Sequence, residues 1–356
     1  MKKIITVVGA RPQFIKAATL SRQFQSLGVH EMMIHTGQHF DANMSEVFFD
    51  EMEIAKPAYQ LSIHGLTHGA MTGRMIEGIE EILIKEKPDG VMVYGETNST
   101  RAGALAAVKL HIPVIHVEAG LRSFNMEMPE EINRILTDRI SSVLFCPTVT
   151  AVTNLRHEGF DNLPALILKN GDVMQDAAIY YAPKAEQKST ILQRIKFPKF
   201  VLATIHRQEN IDSSDKLKNI IAGLNEINKQ IPVIVPLHPR TRNMLEKLHI
   251  VPDFKIIEPV GYFDMIMLLK NCALVITDSG GIQKEAFFFG KHCITLREQT
   301  EWVELIDNGF NILAGSDSLK LKEAFEILLH KKSDFSLDLY GKGQAAERAA
   351  KEIAKI

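Results

Sequence analysis

The sequence predicts an α/β protein with two domains, each built on a parallel β-sheet. Short apolar runs rich in β-branched residues alternate with longer amphipathic segments along the whole chain, which is typical of parallel sheets covered by helices on both faces. The alternation restarts after residue 170. Because about a dozen strands are too many for one comfortable sheet, we expect two Rossmann-like domains with parallel sheets, and ligands beyond the carboxyl ends of their strands.

The individual elements follow from the same alternation. Apolar runs predict strands at 4–8, 32–35, 91–94, 114–117, 143–145, 166–168, 200–205, 233–237, 255–257, 274–276 and 293–296. Helical periodicity predicts helices between them at 15–25, 71–85, 102–110, 130–140, 215–229, 263–269 and 319–330. The polar stretch 182–199 contains two prolines and is predicted to be a surface connection. We assign an N-terminal domain to 1–170, a C-terminal domain to 171–340 and a terminal helix to 341–356.

Composition and charge exclude several classes of function. The 356 residues carry a formal net charge of −2, so no basic surplus favours nucleic acid. The first apolar run ends at Gly9, which is too short for a signal peptide, and no run approaches the roughly 18 residues that span a bilayer. Cys146, Cys272 and Cys293 lack C-x-x-C spacing and are interpreted as reduced core residues. We expect a cytoplasmic protein with no membrane span.

The most informative stretch is Thr277-Asp-Ser-Gly-Gly281, which follows a predicted buried strand. Its two glycines let the backbone approach a bound group closely. Ser279 stands at the start of a predicted helix, where free N–H groups and the helix dipole favour an anion. Glu285 lies about one turn further on, where a carboxylate is placed to accept hydrogen bonds from a ribose diol. A plain strand-to-helix turn with a capping serine explains the same residues equally well.

The first strand ends in Gly9-Ala-Arg-Pro-Gln13, and Lys16 follows one helical turn later. This is not the G-x-G-x-x-G pattern, and the second strand ends at Thr36-Gly-Gln-His39 without the acid that holds the ribose of NAD. A nicotinamide cofactor is therefore not expected. Arg11 and Lys16 together suit a phosphate, although Arg11 alone also suits a surface position at a helix start.

Three carboxylates stand at or near strand ends in the first half. Glu96 and Glu118 each come directly after a predicted buried strand, and Glu130 lies at the start of a helix, where acids are common in any protein. Carboxylates gathered at one edge raise one another's pKa, so that an acid can stand beside an ionised base. Arg122 and Arg134 supply balancing charge. The pattern predicts proton transfer at carbon, and no ligand spacing supports a metal.

Two histidines stand at strand ends in the second half. His206 and His238 each end a predicted strand, and each is followed closely by an arginine. A lone histidine is more often structural than catalytic, but two at strand ends predict that both line the same site from the second domain. Trp302, the only tryptophan, is expected to be buried.

Six motifs together resemble a known family. They are Gly9-Ala-Arg-Pro12, Gly95-Glu-Thr-Asn-Ser99, His116-Val-Glu-Ala-Gly-Leu-Arg122, Pro129-Glu-Glu-Ile-Asn-Arg134, Thr277-Asp-Ser-Gly-Gly-Ile-Gln283 and Tyr340-Gly-Lys-Gly-Gln-Ala345. In this order, over nearly the whole chain, they are similar to the non-hydrolysing UDP-N-acetylglucosamine 2-epimerases. The resemblance implies two domains of glycosyltransferase-B type with the active site between them, a homodimer, and a terminal helix that crosses back to the N-terminal domain.

The resemblance also implies a reaction and the residues that perform it. UDP is eliminated across C1–C2 to leave a glycal and is then re-added with inversion at C2, without a cofactor. The implied diphosphate contacts are Arg11, Ser279, Gly280 and Gly281, with Glu285 at the ribose and the backbone of Met265 near uracil. The implied catalytic cluster is Lys16, Glu96, Glu118, Glu130 and His206. Arg134 and His238 match further residues of the site.

Two positions depart from the family pattern. The family usually has aspartate at Glu96, and Trp302 stands where the UDP-N-acetylglucosamine enzymes typically have arginine. The runs 300–304, 11–16 and 35–44 more closely resemble the branch that acts on UDP-2,3-diacetamido-2,3-dideoxy-glucuronate, which feeds O-antigen and capsule synthesis. As a hypothesis, surplus arginines would bind the uronate carboxylate; they are Arg122, Arg207, Arg240 and Arg297. The activator site of the other branch lacks its usual arginine-containing run after Gln38.

We therefore predict a 2-epimerase of a UDP-2-acetamido sugar, with UDP-2,3-diacetamido-2,3-dideoxy-glucuronate or UDP-N-acetylglucosamine as substrate. The near alternative is a hydrolysing relative that releases the free sugar. A retaining glycosyltransferase of the same architecture would need an acceptor and would leave C2 untouched. A non-catalytic sensor would bind the UDP-sugar without exchange at C2.

Overall fold

The computed structural model describes residues 2–38, 54 and 56–356, apart from the side chain of Arg11. The chain divides into two compact units. Unit 1 comprises Met1–Ile179 together with Asp338–Ile356, and unit 2 comprises Tyr180–Leu337. Each unit is built on its own parallel sheet, so the predicted α/β class with two Rossmann-like domains is confirmed.

Unit 1 contains strands β1 to β7. They are β1 (Lys3–Val8), β2 (His30–His35), β3 (Tyr59–Gln60), β4 (Gly90–Tyr94), β5 (Val114–Val117), β6 (Val143–Cys146) and β7 (Leu166–Lys169). The helices of this part are α1 (Arg11–Leu27), α2 (His68–Glu86), α3 (Asn98–Lys109), α4 (Pro129–Arg139) and α5 (Val149–His157), with a 3₁₀ turn at Phe160–Asn162. Helix α6 (Val173–Lys188) begins in unit 1 and continues past Ile179 into the segment assigned to unit 2. Within the described residues the strands form one seven-stranded parallel sheet of order β3-β2-β1-β4-β5-β6-β7.

Unit 2 contains strands β8 to β13. They are β8 (Val201–Thr204), β9 (Val233–Pro236), β10 (Lys255–Ile257), β11 (Leu274–Thr277), β12 (Cys293–Thr295) and β13 (Asn311–Leu313). Its helices are α7 (Ile191–Ile195), α8 (Gln208–Ile211), α9 (Ser214–Asn228), α10 (Pro239–Lys247), α11 (Tyr262–Asn271), α12 (Gly280–Phe288), α13 (Val303–Asp307) and α14 (Ser318–His330). In the part of the chain that the structure describes, these strands form a six-stranded parallel sheet of order β10-β9-β8-β11-β12-β13.

The central strands coincide with the longest apolar runs. Every residue of β4 and of β11 is buried, as expected for strands that carry helices on both faces. Two short strands at the sheet edges were not predicted from the sequence, β3 and β13. Their side chains are mostly half-buried or exposed, so these strands lack the continuous apolar run that marks an interior strand.

The prediction of a surface connection over 182–199 is wrong. Residues 182–188 continue α6, which contains Pro183, and α7 follows shortly afterwards. Proline removes one helical hydrogen bond and clashes with the preceding turn. Here Tyr181 and Ala185, on either side of the proline, are both fully buried, so apolar packing of this helix face offsets that cost.

The terminal helix α15 (Ala345–Ile353) belongs to unit 1 and packs against α1. Its contact face consists of small buried side chains, including Ala346, Ala349 and Ala350. Asp176 on α6 accepts hydrogen bonds from the backbone N–H of Ala345 at 3.2 Å and of Ala346 at 2.7 Å. A carboxylate from another helix therefore caps the N-terminus of α15, where it satisfies N–H groups that have no partner within the helix.

The Asp176 cap predicts a pH-dependent stability. Burial raises the pKa of Asp176 from 3.8 to about 6, against the lowering effect of its two backbone donors. Because the folded protein holds this proton more tightly than the unfolded chain, stability is lost as pH rises from about 4 to 6. We expect wild type to lose up to about 3 kcal/mol relative to Asp176→Asn over this range. Denaturation of both proteins at pH 4, 5, 6 and 7 measures the difference; a constant difference contradicts the prediction.

The three cysteines, Cys146, Cys272 and Cys293, are buried and free. Burial raises the pKa of Cys272 to about 12 and also raises the pKa of Cys146 and Cys293. All three are therefore thiols at neutral pH and pack as small apolar side chains. No helix in the described part of the chain is both long and apolar enough to cross a membrane.

Candidate active site

The order of strands reverses once in each sheet. In unit 1 the reversal lies between the neighbours β1 and β4, and in unit 2 between β8 and β11. Ligands of open α/β sheets bind outside the carboxyl ends of the strands at such a reversal. The residues that follow these four strands, and those that follow the adjacent β5, are therefore the candidate site residues of the two units.

Lys16 and Glu118 form a buried ion pair in unit 1. Glu118 directly follows β5 and has a left-handed backbone, with φ of 73°. Its N–H and that of Ala119 both donate to the carbonyl of Phe145, at 3.1 and 3.0 Å, which holds the chain in this turn. A non-glycine residue with positive φ is uncommon and persists only where its surroundings fix it. The predicted catalytic residues Lys16 and Glu118 are thus brought together.

Gly95 and Glu96 follow β4 beside this pair. Gly95 has φ of 61°, and a Cβ on it would lie 3.1 Å from Lys16 Nζ and 3.3 Å from Glu118 Oε2. The left-handed turn and this close approach both favour glycine. The side chain of Glu96 is about 30% exposed, and its Oε1 lies 4.0 Å from Nη2 of the buried Arg134. The turn after β4 therefore directs a partly solvated carboxylate to the same strand ends as Glu118.

Position at a helix start did not distinguish Glu130 from Glu131, and the family resemblance named only Glu130; in the structure the two differ in burial. Glu130 is exposed on the first turn of α4, whereas Glu131 is fully buried. Glu131 accepts hydrogen bonds from Ser123 N, Ser123 Oγ and Phe124 N at 2.9–3.1 Å. It also lies 3.3 Å from Nη1 of Arg134. Glu131 therefore organises the loop before α4, and Glu130 is the acid that this helix leaves open to solvent.

A buried polar network lies behind the unit 1 acids, and sequence reasoning missed it. His116 on β5 contacts Asp138 Oδ1 at 2.7 Å through Nδ1. Nη1 of Arg122 donates to Asp138 Oδ2 at 2.6 Å, and its other nitrogens donate to Glu158 at 2.7 and 2.8 Å. Burial acts to raise the pKa of Asp138, but His116 and Arg122 hold it below its ordinary value. Asp138 is therefore an ionised carboxylate in the core, paired as such groups must be.

Asp278 fixes His206 in unit 2. Asp278 directly follows β11 and is fully buried. It accepts hydrogen bonds from the backbone N–H of His206 and Arg207 and from the amide of Asn210, at 3.0–3.1 Å. Its Oδ1 also lies 2.9 Å from His206 Nδ1. Burial acts to raise the pKa of Asp278, but these donors hold it below its ordinary value.

The exposed face of His206 is consequently its Nε2 edge. The imidazole side chain is about half exposed. Because the buried Asp278 binds Nδ1, it fixes both the orientation of the ring and its tautomer. Asp278 lies within the Thr277–Gln283 motif, but the sequence alone gives it no role. The available signal was an acid at the end of a buried strand, the same signal that singled out Glu96 and Glu118.

His238 lies near His206. It is exposed, and its Nδ1 caps α10 by accepting from the N–H of Arg240 at 3.3 Å. Partial burial, the charge of His206 and the charge of Arg240 together lower the pKa of His238. The second predicted histidine is therefore held mainly as a neutral imidazole beside the first.

The N-terminus of α12 follows Asp278. Ser279 caps the helix by accepting from Ile282 N at 3.4 Å, and a Cβ on Gly281 would meet only Ser279 Oγ at 4.0 Å. Glu285, further along α12, is 5% exposed. Met265 lies inside α11, where its N–H donates to the carbonyl of Gly261 at 3.0 Å. At Gly281 the turn thus leaves room for a bound group at a helix N-terminus, where N–H groups favour an anion, whereas Glu301 lies close to Gly280.

The hypothesis that four surplus arginines serve a uronate is wrong for two of them. Arg122 is buried between Asp138 and Glu158, and Arg297 is buried against Glu301 at 2.8 Å. The other two are more exposed and also face acids: Arg207 lies 3.6 Å from Glu209, and Arg240 lies 2.7 Å from Asp212.

Two predictions fall outside the described part of the structure. The side chain of Arg11 is one, although the backbone of Arg11 begins α1. The other is residues 39–44 of the run that resembles the diacetamido-glucuronate branch. Among residues 2–38, 54 and 56–356, no group of three or more His, Cys, Asp or Glu side chains is arranged to hold a metal.

Comparison with known proteins decides the family. A family model described as UDP-N-acetylglucosamine 2-epimerase matches residues 23–354. The chain is 54% identical over 356 residues to UDP-2,3-diacetamido-2,3-dideoxy-D-glucuronate 2-epimerase of Pseudomonas aeruginosa, covering 99% of this chain and 100% of the relative. The chain belongs to the UDP-N-acetylglucosamine 2-epimerase family. The family model and this relative are both named as 2-epimerases, which are isomerases, and the match confirms the prediction of this family from sequence motifs.

Solved structures of family members support the assignment. A structure of UDP-GlcNAc 2-epimerase from Methanocaldococcus jannaschii, in complex with UDP-GlcNAc and UDP, has a TM-score of 0.93 at 42% identity, covering 100% of both chains. The Neisseria meningitidis enzyme bound to UDP-GlcNAc has a TM-score of 0.90 at 31% identity, covering 99% of this chain and 100% of its own. This 2-epimerase family member therefore shares the glycosyltransferase-B-like fold of those enzymes.

Trp302 of this family member is buried, as the sequence predicted, with 2% of its surface exposed. The ammonium group of Lys284, a fully buried residue of α12, lies 4.2 Å from the centre of the Trp302 ring. Such a cation–π contact stabilises a charge that has little access to water. The tryptophan thus supports the interior face of the helix whose N-terminus forms the Ser-Gly-Gly turn.

The two glycines of α12 predict different effects of alanine. A Cβ on Gly280 would lie 2.5 Å from Oε1 of Glu301, which Arg297 holds in place. We expect Gly280→Ala to destabilise the protein by about 1–3 kcal/mol. Gly281→Ala has room and should change stability by less than about 0.5 kcal/mol, yet it should weaken UDP binding because the new methyl group covers the turn. Thermal unfolding and calorimetric titration with UDP check both variants. Wild-type UDP affinity in Gly281→Ala contradicts a diphosphate at this turn.

Proposed function

We propose that the protein is a non-hydrolysing 2-epimerase that interconverts the gluco and manno forms of UDP-2,3-diacetamido-2,3-dideoxy-glucuronate. The 54% identity to the Pseudomonas aeruginosa enzyme of that name supports this substrate. The observation that carries the reaction type is Glu118, a carboxylate held by Lys16 in a left-handed turn beside a strand-order reversal. A fixed carboxylate at this place is suited to take a proton from carbon.

The chemistry begins with departure of UDP. The C2 proton is not flanked by a carbonyl, so it becomes acidic only as the C1–O bond breaks and C1 acquires positive charge. The electron pair of that bond leaves with UDP, the proton passes to a carboxylate, and the C–H electrons form the C1=C2 double bond of the glycal. In this proposal Glu118 is the base, and Lys16 holds it in position.

The leaving diphosphate acquires negative charge, which unit 2 and Arg11 stabilise. The N-terminus of α12 at Ser279, Gly280 and Gly281 supplies backbone N–H groups, and Asp278 orients His206 as a further donor. Preorganised donors of this kind lower the barrier because they need no rearrangement as charge develops. Glu285 binds the ribose and the backbone of Met265 lies near uracil, as in the family pattern.

Inversion at C2 requires a second acid on the opposite face of the ring. Glu96 and Glu130 are the candidates, because each presents a solvent-accessible carboxylate at these strand ends or at the start of α4. The glycal takes a proton at C2 from this acid while a UDP oxygen re-forms the bond to C1. Arg134 stabilises the carboxylate of Glu96, whose Oε1 lies 4.0 Å from Arg134 Nη2. His238, near His206, contributes to binding of the diphosphate.

A second substrate is supported by a specific comparison. The chain is 43% identical over 360 residues to UDP-N-acetylglucosamine 2-epimerase of Methanocaldococcus jannaschii. UDP-N-acetylglucosamine, with UDP-N-acetylmannosamine as product, is therefore the alternative substrate pair. The protein acts as a cytoplasmic homodimer in this proposal; light scattering of the purified protein measures its mass against the 39.9 kDa of one chain.

Incubation with each UDP-sugar in heavy water tests the proposal. Proton NMR should show loss of the C2 proton signal together with formation of the manno isomer from UDP-2,3-diacetamido-2,3-dideoxy-glucuronate, with slower or no exchange in UDP-N-acetylglucosamine. Faster exchange and epimerisation of UDP-N-acetylglucosamine would instead identify that sugar as the substrate.

The other outcomes distinguish the remaining functions. Stoichiometric release of UDP with a free mannosamine-type sugar identifies a hydrolysing enzyme. Consumption of donor only when an acceptor is added, with the C2 proton retained, identifies a glycosyltransferase. Tight binding of either UDP-sugar without exchange identifies a sensor and overturns the proposal.

A further inference from the structure

His116 connects the two turns that carry the acids of unit 1. Its ring is fully buried on β5, two residues before Glu118. On one side, Nε2 lies 2.8 Å from the carbonyl oxygen of Gly95, the residue immediately before Glu96. On the other side, Nδ1 lies 2.7 Å from Asp138 Oδ1. Each ring nitrogen therefore faces an acceptor oxygen, and the ring bridges the two groups.

Asp138 extends the connection to the turn after Glu118. Its second oxygen, Oδ2, accepts from the backbone N–H of Gly120 at 3.1 Å and from Arg122 Nη1 at 2.6 Å. Gly120 has φ of 79°, and a Cβ there would clash with the backbone of Ala151. Asp138 thus fixes the turn 118–120 through the N–H of Gly120, and His116 fixes the turn 95–96 through the carbonyl of Gly95.

We propose that His116, through Asp138, is a positioning residue that sets the placement of Glu96 relative to Glu118. This assignment rests on the proposed function with Glu96, rather than Glu130, as the second acid, so that Glu96 and Glu118 act on C2 of one sugar. His116 does not touch the substrate in this scheme. It acts through the Gly95 carbonyl on one turn and through Asp138 on the other.

Physical chemistry favours a positioning role over simple packing. A buried ionic network contributes little net stability compared with apolar residues of similar volume, because each charge must be removed from water. What such a network does supply is a fixed geometry, since every partner has one satisfactory arrangement. Geometry matters here because a displacement of about 1 Å in a catalytic group costs roughly 10²-fold in rate.

The test uses His116→Gln and Asp138→Asn in the full-length protein. Glu158→Gln is the matched control, because it perturbs the same network through Arg122 but contacts neither turn. The readout is the partition of the glycal: the ratio of free glycal plus UDP released to 2-epimer formed, measured by NMR. This ratio is a property of each folded molecule, so partial unfolding or loss of protein does not change it.

We expect both variants to lower the epimerisation rate by about 10²-fold. We also expect the partition ratio to rise several-fold, because re-protonation of the glycal requires the two acids to be correctly placed relative to each other. Glu158→Gln should keep the wild-type ratio. An unchanged ratio in both variants overturns the proposal, and so does failure of both variants to fold, since the network is then a requirement of folding. Absence of C2 exchange in the wild type measured alongside refutes the proposed function instead.

Discussion

Replacement of Glu118 by glutamine is expected to abolish exchange of the C2 proton while leaving UDP affinity close to that of the wild type. Glutamine keeps the shape of the side chain and an oxygen that accepts from Lys16, but it cannot take a proton. General-base catalysis contributes about 10²–10⁴-fold to a rate, so the loss should be at least of this size. Proton NMR in heavy water measures exchange, and calorimetry measures UDP binding, which the proposal assigns to unit 2 and Arg11.

Glu127→Gln is the control for this change. Glu127 is an exposed acid in the same unit, close to the start of α4, and has no role in the proposed reaction. Circular dichroism must establish that Glu118→Gln is folded before its rate is interpreted, because its ion pair with Lys16 is buried and loss of charge there is costly. If a folded Glu118→Gln protein exchanges its C2 proton at the wild-type rate, another residue is the base.

Replacement of His206 by alanine is expected to slow the departure of UDP by about 10²–10³-fold, the usual effect of removing one donor to a developing anion. The change also removes the side chain that Asp278 orients, while the backbone N–H groups still satisfy Asp278. Both kcat and kcat/KM for epimerisation should fall, since the interaction strengthens as charge develops. Steady-state kinetics with the UDP-sugar measure the effect.

His330→Ala serves as the control, because His330 is an exposed residue at the end of α14. A folded His206→Ala protein with unchanged kcat and a higher KM would show that His206 binds the ground state and the transition state equally. An unchanged kcat together with an unchanged KM removes His206 from the site altogether.

Periodicity predicted most of the fold because interior strands must be apolar on both faces. The runs at β4 and β11 are buried throughout and therefore visible in the sequence. The edge strand β3 was missed because its solvent exposure permits a polar residue, Gln60. The edge strand β13 was missed because it begins with the buried polar Asn311 and offers only two apolar residues, Ile312 and Leu313. The error at α6 arose from treating Pro183 as a helix end, when burial of Tyr181 and Ala185 maintains the helix through it.

The candidate site was predictable where chemistry and strand position coincide. Glu96 and Glu118 were found because each follows an apolar run that predicts a buried strand. Asp138 and Asp278 were missed as partners because their roles depend on which N–H groups converge on them, and those donors are distant in sequence: Asp278 receives the N–H of His206. Glu130 and Glu131 differ by burial alone, which a shared helix start does not reveal.

The reactivity of the buried cysteines reports local opening of the protein. A thiol that is both inaccessible and protonated reacts with an alkylating reagent only when the surrounding sheet opens. Cys146 belongs to unit 1, whereas Cys272 and Cys293 belong to unit 2. Labelling rates at the separate sites therefore give the opening free energy of each domain, and a bound UDP-sugar should protect the thiols of whichever domain it stabilises.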